Sequence, residues 1–168
     1  MIAERPRPWP DRDLELLPAV VDYFRFLHDT AVDKVAGLDE EQARATPIPT
    51  SPAISPLGLI QHLRAVYRQH LQIHLVGSDL PPLWFADDLD SEFRIAPDAT
   101  VDSVVAAFDE EFSRASAAVA AADPAATIIA YGEPVRVGRF LVDVQQEVAR
   151  HVGHLDIVRE LIDGAKGE

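Results

Sequence analysis

The sequence contains no cysteine, and only two of its 168 residues are lysines. Disulfides and thiolate ligands are therefore excluded, so any bound metal would need nitrogen and oxygen ligands. The 28 acidic residues outnumber the 15 basic residues, which gives a formal net charge of −13. This balance argues against nucleic acid as a partner and against an anionic membrane surface.

Long hydrophobic runs are also missing, because no stretch approaches 18 apolar residues. The first residues, MIAERPRPWPDRD, lack the apolar core of a signal peptide. We therefore expect a soluble, cytoplasmic protein with no membrane partner. The length suits a single domain over residues 1–168, and the three prolines in residues 1–10 predict an N-terminal arm.

What the sequence does contain is helical periodicity, in four segments of about 20 to 25 residues. The apolar spacing predicts helices over residues 13–36, 57–76, 101–122 and 138–162. Glycines at 37, 77 and 164 are the expected stops, and Thr100 is the expected N-cap of the third helix.

The connections between these helices are unequal in length. Residues 46–56 carry four prolines and are expected to be a loop, whereas residues 78–99 form a long proline- and acid-rich connection. Strand signals are weak, and residues 127–137 are expected to be irregular or extended. Together these features predict an all-α protein, a four-helix bundle with one long crossover connection.

The segment EVARHVGHLD brings Glu147, His151 and His154 together at spacings i, i+4 and i+7. On a helix these side chains form one stripe, beside the apolar face of the fourth predicted helix. One interpretation is a solvated edge with an ordinary pair between Glu147 and His151. The other is a set of donors for a divalent metal, which would need a further ligand from a partner helix.

The second predicted helix offers the best partner, because His62 lies on its apolar side between Ile60 and Leu63. A lone histidine in that position is more often a core residue. His70 and His74, one turn apart, are rotated away from His62 on an ideal helix and are interpreted as rim or surface residues. His28 has no companion on the first helix and is interpreted as structural.

SPLGLIQHLRAV, followed about ninety residues later by EVARHVGHLDIVRELIDG, resembles the DinB/YfiT-like superfamily, and especially DinB-like proteins of actinobacteria. GLDEEQAR and FRIAPDATVDSVVAAF extend the similarity over nearly the whole chain. The resemblance implies a bundle, often a homodimer, with a divalent metal between helices. Carried over by position, the metal ligands are His62, Glu147 and His151, with Zn²⁺ favoured over Ni²⁺ or Fe²⁺.

Relatives of this kind include mycothiol-dependent maleylpyruvate isomerase and S-transferases that use mycothiol or bacillithiol. The resemblance therefore implies a metal-dependent S-transferase or isomerase that joins a small-molecule thiol, here mycothiol, to a small electrophile. His154 is expected to be a catalytic proton shuttle, a fourth ligand or a support for a ligand. Tyr67, Trp84, Phe85 and Tyr131 are candidate cleft walls, although simple packing is the more common role of such residues. Asp143 replaces a histidine found in many relatives.

Two alternatives stay open at the level of the sequence. One is a non-catalytic, stress-related bundle that binds a metal without a thiol. The other is a metal-dependent hydrolase that uses bound water.

Overall fold

The computed structural model describes residues 2–88 and 90–167. Met1 in the expected arm, Leu89 in the long connection and Glu168 at the end of the expected domain lie outside these residues. Within the described part the chain is mainly helical, and the helices are α1 Leu16–Asp33, α2 Glu40–Arg44, α3 Pro56–Val66, α4 Val101–Ala120 and α5 Val137–Asp163. The prediction of an all-α bundle is confirmed.

Four of these helices form the bundle, since α1 and α3 each pack against both α4 and α5. Their apolar stripes meet in one core, centred on fully buried side chains such as Phe24, Tyr67, Phe108 and Leu155. Tyr67 is therefore a core packing residue rather than a cleft wall, because its ring packs against Phe108 with centroids 5.4 Å apart. Among the described residues, no helix combines the length and apolar character that a membrane crossing requires.

Local sequence explains where the helices begin and end. Ser55 caps α3 by accepting a hydrogen bond from the Gly58 amide at 3.0 Å, and Pro56 follows at a first-turn position where its missing N–H costs nothing. Thr100 is the N-cap of α4, as predicted, within a reciprocal capping box that includes Ser103. Gly164 ends α5 with a left-handed backbone, at φ 79°.

The second predicted helix is not one continuous α-helix. After Val66 it continues as a π-helix over Tyr67–His74, with i→i+5 hydrogen bonding, as in the bond from the Leu75 amide to the His70 carbonyl. A wider turn rotates each successive side chain by less than the 100° of an α-helix. The angles that separated His70 and His74 from His62 on an ideal helix therefore do not apply.

Two small elements complete the fold. Residues expected to be irregular or extended form an antiparallel hairpin of β1 Thr127–Ala130 and β2 Glu133–Arg136, directly before α5. The long connection contains a 3₁₀ turn, Ser91–Phe93, which packs against α3. The N-terminal arm lies on the bundle, because the Arg5 guanidinium donates to both carboxylate oxygens of Asp109, at 2.9 and 2.7 Å.

His28 does have a partner, although the sequence offered no sign of one. Its Nε2 lies 2.8 Å from an oxygen of Asp109 on α4, and its ring stacks on Phe112 with centroids 4.1 Å apart. Burial lowers the pKa of His28, although the hydrogen bond with Asp109 opposes this shift. The residue joins α1 to α4, in agreement with the structural interpretation.

Candidate metal centre

Packing of α3 against α5 brings His62 next to Glu147 and His151, which lie one helical turn apart on α5. His62, Glu147 and His151 each offer one ligand atom, and these atoms lie within 4.8 Å of one another. The rings of His62 and His151 meet at an interplanar angle of 62°, with centroids 4.1 Å apart. His62 is buried, whereas Glu147 and His151 are partly exposed, so the group lies where the core meets solvent.

The separations within the group are close to those of ligands that share one metal ion, and the shorter one is also that of a hydrogen bond between Glu147 and His151. Oε1 of Glu147 lies 2.9 Å from Nε2 of His151 and 3.9 Å from Nε2 of His62. Two ligands of a tetrahedral Zn²⁺ ion, each about 2.1 Å from the metal, lie about 3.4 Å apart. The two measured separations fall on either side of that value. Two imidazoles and one carboxylate also form a donor set typical of catalytic Zn²⁺, and of non-haem Fe²⁺.

His62 supplies a second observation. In the part of the chain that the structure describes, both of its ring nitrogens are buried without a hydrogen-bond partner. A buried polar group left unsatisfied costs about 1–3 kcal/mol, so an ordinary core histidine would bond to a carbonyl or a hydroxyl. A cation at Nε2 would satisfy one of these two nitrogens, and the residues present therefore fit a metal ion.

The other nitrogen of His62 faces a residue that the sequence analysis missed. Oε1 of Glu92, in the 3₁₀ turn, lies 3.3 Å from Nδ1, a distance suited to an ion pair although the angle does not make a hydrogen bond. Phe93 stacks on the His62 ring at 4.5 Å and 5°. Metal-binding histidines commonly direct their second nitrogen to a carboxylate, which orients the ring. Glu92 occupies that position.

Gly58 permits the turn to approach α3 so closely. A Cβ atom at this position would lie 3.0 Å from the carbonyl oxygen of Phe93 and 3.0 Å from Oγ of Ser55. Both contacts are tighter than ordinary van der Waals separation, and one of them is to backbone. The glycine in SPLGLIQHL is thus the sequence signal for the turn that covers His62, although only the structure shows what approaches it.

His151 is held so that its two nitrogens face different residues. Nε2 faces Glu147, whereas Nδ1 lies 3.3 Å from Nδ1 of His154. Burial lowers the pKa of His151, and the neighbouring His62 lowers it further, while Glu147 opposes the shift. A lowered pKa favours the neutral His151 ring, which is the form that binds metal. His154 contacts the far side of this ring, and the three-residue ligand group does not include it.

A cavity of about 450 Å³ adjoins the metal group, because Glu147 forms part of its wall. His70, Tyr131 and Asp143 also line it. The interpretation of His70 as a rim residue therefore needs correction, since the π-helix turns it into the wall of the cleft.

The remaining aromatic and polar candidates lie at different places. Tyr131 is a wall residue as expected, whereas Trp84 donates to the side-chain oxygen of Gln69 at 3.2 Å and fastens the long connection to the π-helix. Phe85 is 63% exposed.

Two polar residues pair with neighbours on their own helices. His74 lies beside Gln69, with its Nε2 atom 2.9 Å from the side-chain amide nitrogen of Gln69. Asp143 is held by Arg139 at 2.9 Å.

Comparison with known proteins identifies the family of the chain. A sequence model of the family described as mycothiol-S-transferase matches residues 19–164, a range that includes every residue of the metal group. This family has the DinB-like fold, and its name implies a small-molecule thiol as substrate. Among curated proteins, none matches the chain. Because the match covers most of the sequence, the protein belongs to the mycothiol S-transferase family.

Proposed function

We propose that the protein is a divalent-metal-dependent thiol transferase, in which His62, Glu147 and His151 bind the metal and mycothiol is the thiol substrate. The observation that carries the proposal is the convergence of these side chains at His62, a buried histidine whose two ring nitrogens have no hydrogen-bond partner among the described residues. Zn²⁺ is the favoured ion. The same donors also suit Fe²⁺ and Ni²⁺.

The chain itself supplies no thiol, because it contains no cysteine. The nucleophilic sulfur must therefore enter with a substrate, in agreement with the family to which the chain belongs. A divalent ion in this group would lower the pKa of a bound thiol and so favour the thiolate at neutral pH. With three protein ligands, such an ion would keep at least one position open for the sulfur.

The chemistry of transfer follows from a thiolate and an activated carbon. When the thiolate adds to an enone, the sulfur lone pair forms the new C–S bond, and the electrons of the carbon–carbon double bond pass toward the carbonyl oxygen. The proton released by the thiol ends on the neighbouring carbon. We assign the movement of this proton to His154, which contacts the far nitrogen of His151 and is only partly buried.

His154 can be tested separately from metal binding. His154→Ala is expected to lower kcat by about 10²-fold or more, the usual contribution of a positioned acid or base, while metal content and KM stay unchanged. An unchanged kcat would remove His154 from the mechanism.

Activity is tested with zinc-loaded protein, mycothiol and benzylideneacetone (an enone with a phenyl group), by following loss of the enone absorbance. Metal- and mycothiol-dependent conjugation is the expected result, and glutathione serves as the control thiol. Metal retention without mycothiol binding or conjugation would favour the non-catalytic alternative. Turnover of ester substrates without any thiol would favour the hydrolase alternative.

Oligomeric state and location belong to the same proposal. We propose a cytoplasmic homodimer, since low-molecular-weight thiols are kept reduced inside cells and α5 leaves Val142, Ile157 and Leu161 more than half exposed. Light scattering of the purified protein at micromolar concentration tests the dimer. A monomer mass would contradict this part without affecting the metal site.

A further inference from the structure

The lining of the cavity beside the metal group combines hydrophobic and polar side chains. Val135 on β2, together with Phe140 and Val144 on α5, forms the hydrophobic part of the lining. His70 and Tyr131 contribute polar groups, and Glu147 connects the cavity to the metal group. The volume of about 450 Å³ lies within the range of small-molecule sites, which combine an apolar lining with a few placed polar groups.

Tyr131 adopts a backbone conformation that a tyrosine rarely takes. It occupies the turn between β1 and β2 with φ 55°, and Gly132 follows with φ 82°. Two consecutive residues with positive φ characterise a type I′ hairpin turn, whose first position favours asparagine, aspartate or glycine. Strained positions of this kind cluster at ligand sites. Core packing does not explain the tyrosine, because it is 66% exposed.

The side chain of Tyr131 makes one short, specific contact. Its hydroxyl lies 2.6 Å from Nδ1 of His70, across the cavity wall from the hairpin to the π-helix. π-Helical turns are also frequent at functional sites. Two unusual backbone features, one in each element, therefore meet at a single hydrogen bond beside the metal group.

The protonation states allow the hydroxyl to donate to a ligand when neutral His70 carries its proton on Nδ1. Burial lowers the pKa of His70 to about 4, and His74 adds to this shift, so the imidazole is neutral at pH 7. Partial burial and then the charge of Glu147 raise the pKa of Tyr131, which therefore keeps its proton. A neutral imidazole protonated at Nδ1 donates to the phenolic oxygen and leaves the phenolic hydrogen for another acceptor.

We propose that this cavity binds the electrophilic substrate, a small molecule with a hydrophobic body and a carbonyl oxygen, and that the Tyr131 hydroxyl donates a hydrogen bond to that oxygen. The hydrophobic body packs on Val135, Phe140 and Val144. A carbon that reacts with a thiolate is normally activated by a neighbouring electron-withdrawing group, and a carbonyl supplies both the activation and the acceptor. The electrophilic character of the ligand rests on the function proposed above, whereas the shape and polarity of the site do not.

Benzylacetone tests the site without any reaction, because it has the phenyl group and carbonyl of benzylideneacetone but no electrophilic double bond. Binding to the zinc-loaded protein is measured by NMR titration. Tyr131→Phe, which removes only the hydroxyl, is expected to weaken binding about fivefold, the effect of one neutral hydrogen bond. Val135→Trp, which fills the hydrophobic side, is expected to weaken it more than about tenfold.

Matched controls exclude general effects of these substitutions. Tyr23→Phe removes a hydroxyl from an exposed tyrosine on α1, and Ile129→Trp adds an indole at an exposed position of the same hairpin. Both are expected to bind benzylacetone like the unaltered protein, and all four variants are expected to bind Zn²⁺ equally. Equal Zn²⁺ affinity would also show that each variant remains folded.

Three results would overturn the inference: no binding of benzylacetone to the unaltered protein, binding unaffected by Val135→Trp, or equal weakening by Tyr131→Phe and Tyr23→Phe. Failure of the thiol reaction is a separate outcome. Binding that responds to Tyr131 and Val135, without conjugation of benzylideneacetone to mycothiol, would reject the proposed function and leave the site for a carbonyl ligand established. Conjugation unaffected by either variant would support the function and reject this site.

Discussion

The rings of His62 on α3 and His151 on α5 lie 4.1 Å apart, although these residues belong to different halves of the chain. Neither ring is placed by local sequence alone. The two rings meet because α3 and α5 pack along their apolar stripes. Glu92, in the turn over His62, lies beside Nδ1 of that ring, and Glu147 lies beside Nε2.

Glu92 is predicted to strengthen metal binding without touching the metal. Glu92→Gln removes the charge beside Nδ1 of His62, and residues in such positions typically change metal affinity by about 10–100-fold. Calorimetric titration with Zn²⁺ measures the effect. Glu41→Gln, at an exposed position of α2, is the matched control and should bind Zn²⁺ normally. Equal affinities in the two variants would show that Glu92 does not support the ligand.

Two glycine-to-alanine changes are predicted to have opposite effects on stability. Gly58→Ala places a Cβ 3.0 Å from the Phe93 carbonyl and should lower the free energy of unfolding by about 1–3 kcal/mol, as overpacking does. Because it displaces the turn that carries Glu92, it should also weaken Zn²⁺ binding.

Gly153→Ala is the matched control, because nothing lies within 4 Å of a Cβ at this position inside α5. Helix propensity predicts a gain of about 0.5–1 kcal/mol. Urea denaturation of both variants measures the difference. If Gly58→Ala were as stable as the unaltered protein, the close approach of the turn to α3 would be refuted.

The lowered pKa of His70 predicts that the stability of the metal-free protein depends on pH. Its pKa is about 4 when folded, against an ordinary value near 6.5. Between these values the unfolded chain binds a proton that the folded chain does not, so the contribution of His70 to stability falls as the pH decreases from 6.5 to 4. Above pH 6.5 both states are neutral and the contribution is constant.

Nitrogen-15 NMR of the histidine rings measures this titration directly, and His70→Phe should reduce the slope of unfolding free energy against pH in that window. A His70 ring that titrates near 6.5 in the folded protein would contradict its place in the cavity wall.

The sequence was informative where one physical pattern controls the structure. The 3.6-residue spacing of apolar positions predicted α4 and α5 closely, and the capping residue Thr100 marked the start of α4. The alignment of Glu147 and His151 followed from the same geometry. Long, amphipathic helices with clear ends leave little for tertiary contacts to change.

The sequence was least informative where tertiary contacts determine the position of a side chain. A π-helix has no distinctive residue pattern, so His70 was placed by an angle that only an α-helix would give. Glu92 lies in a connection without periodicity, and its approach to His62 depends on packing across Gly58. Apolar spacing also cannot distinguish a core aromatic such as Tyr67 from a cleft aromatic such as Tyr131.

The central claim is that one ion joins α3 to α5 through His62, Glu147 and His151. Its most direct test is a calorimetric Zn²⁺ titration of the unaltered protein, His62→Ala and the control His74→Ala. We predict one Zn²⁺ per chain, a loss of affinity greater than about 100-fold in His62→Ala, beyond the effect of a supporting residue, and normal affinity in His74→Ala. Zn²⁺ binding that is equal in all three proteins would contradict the account.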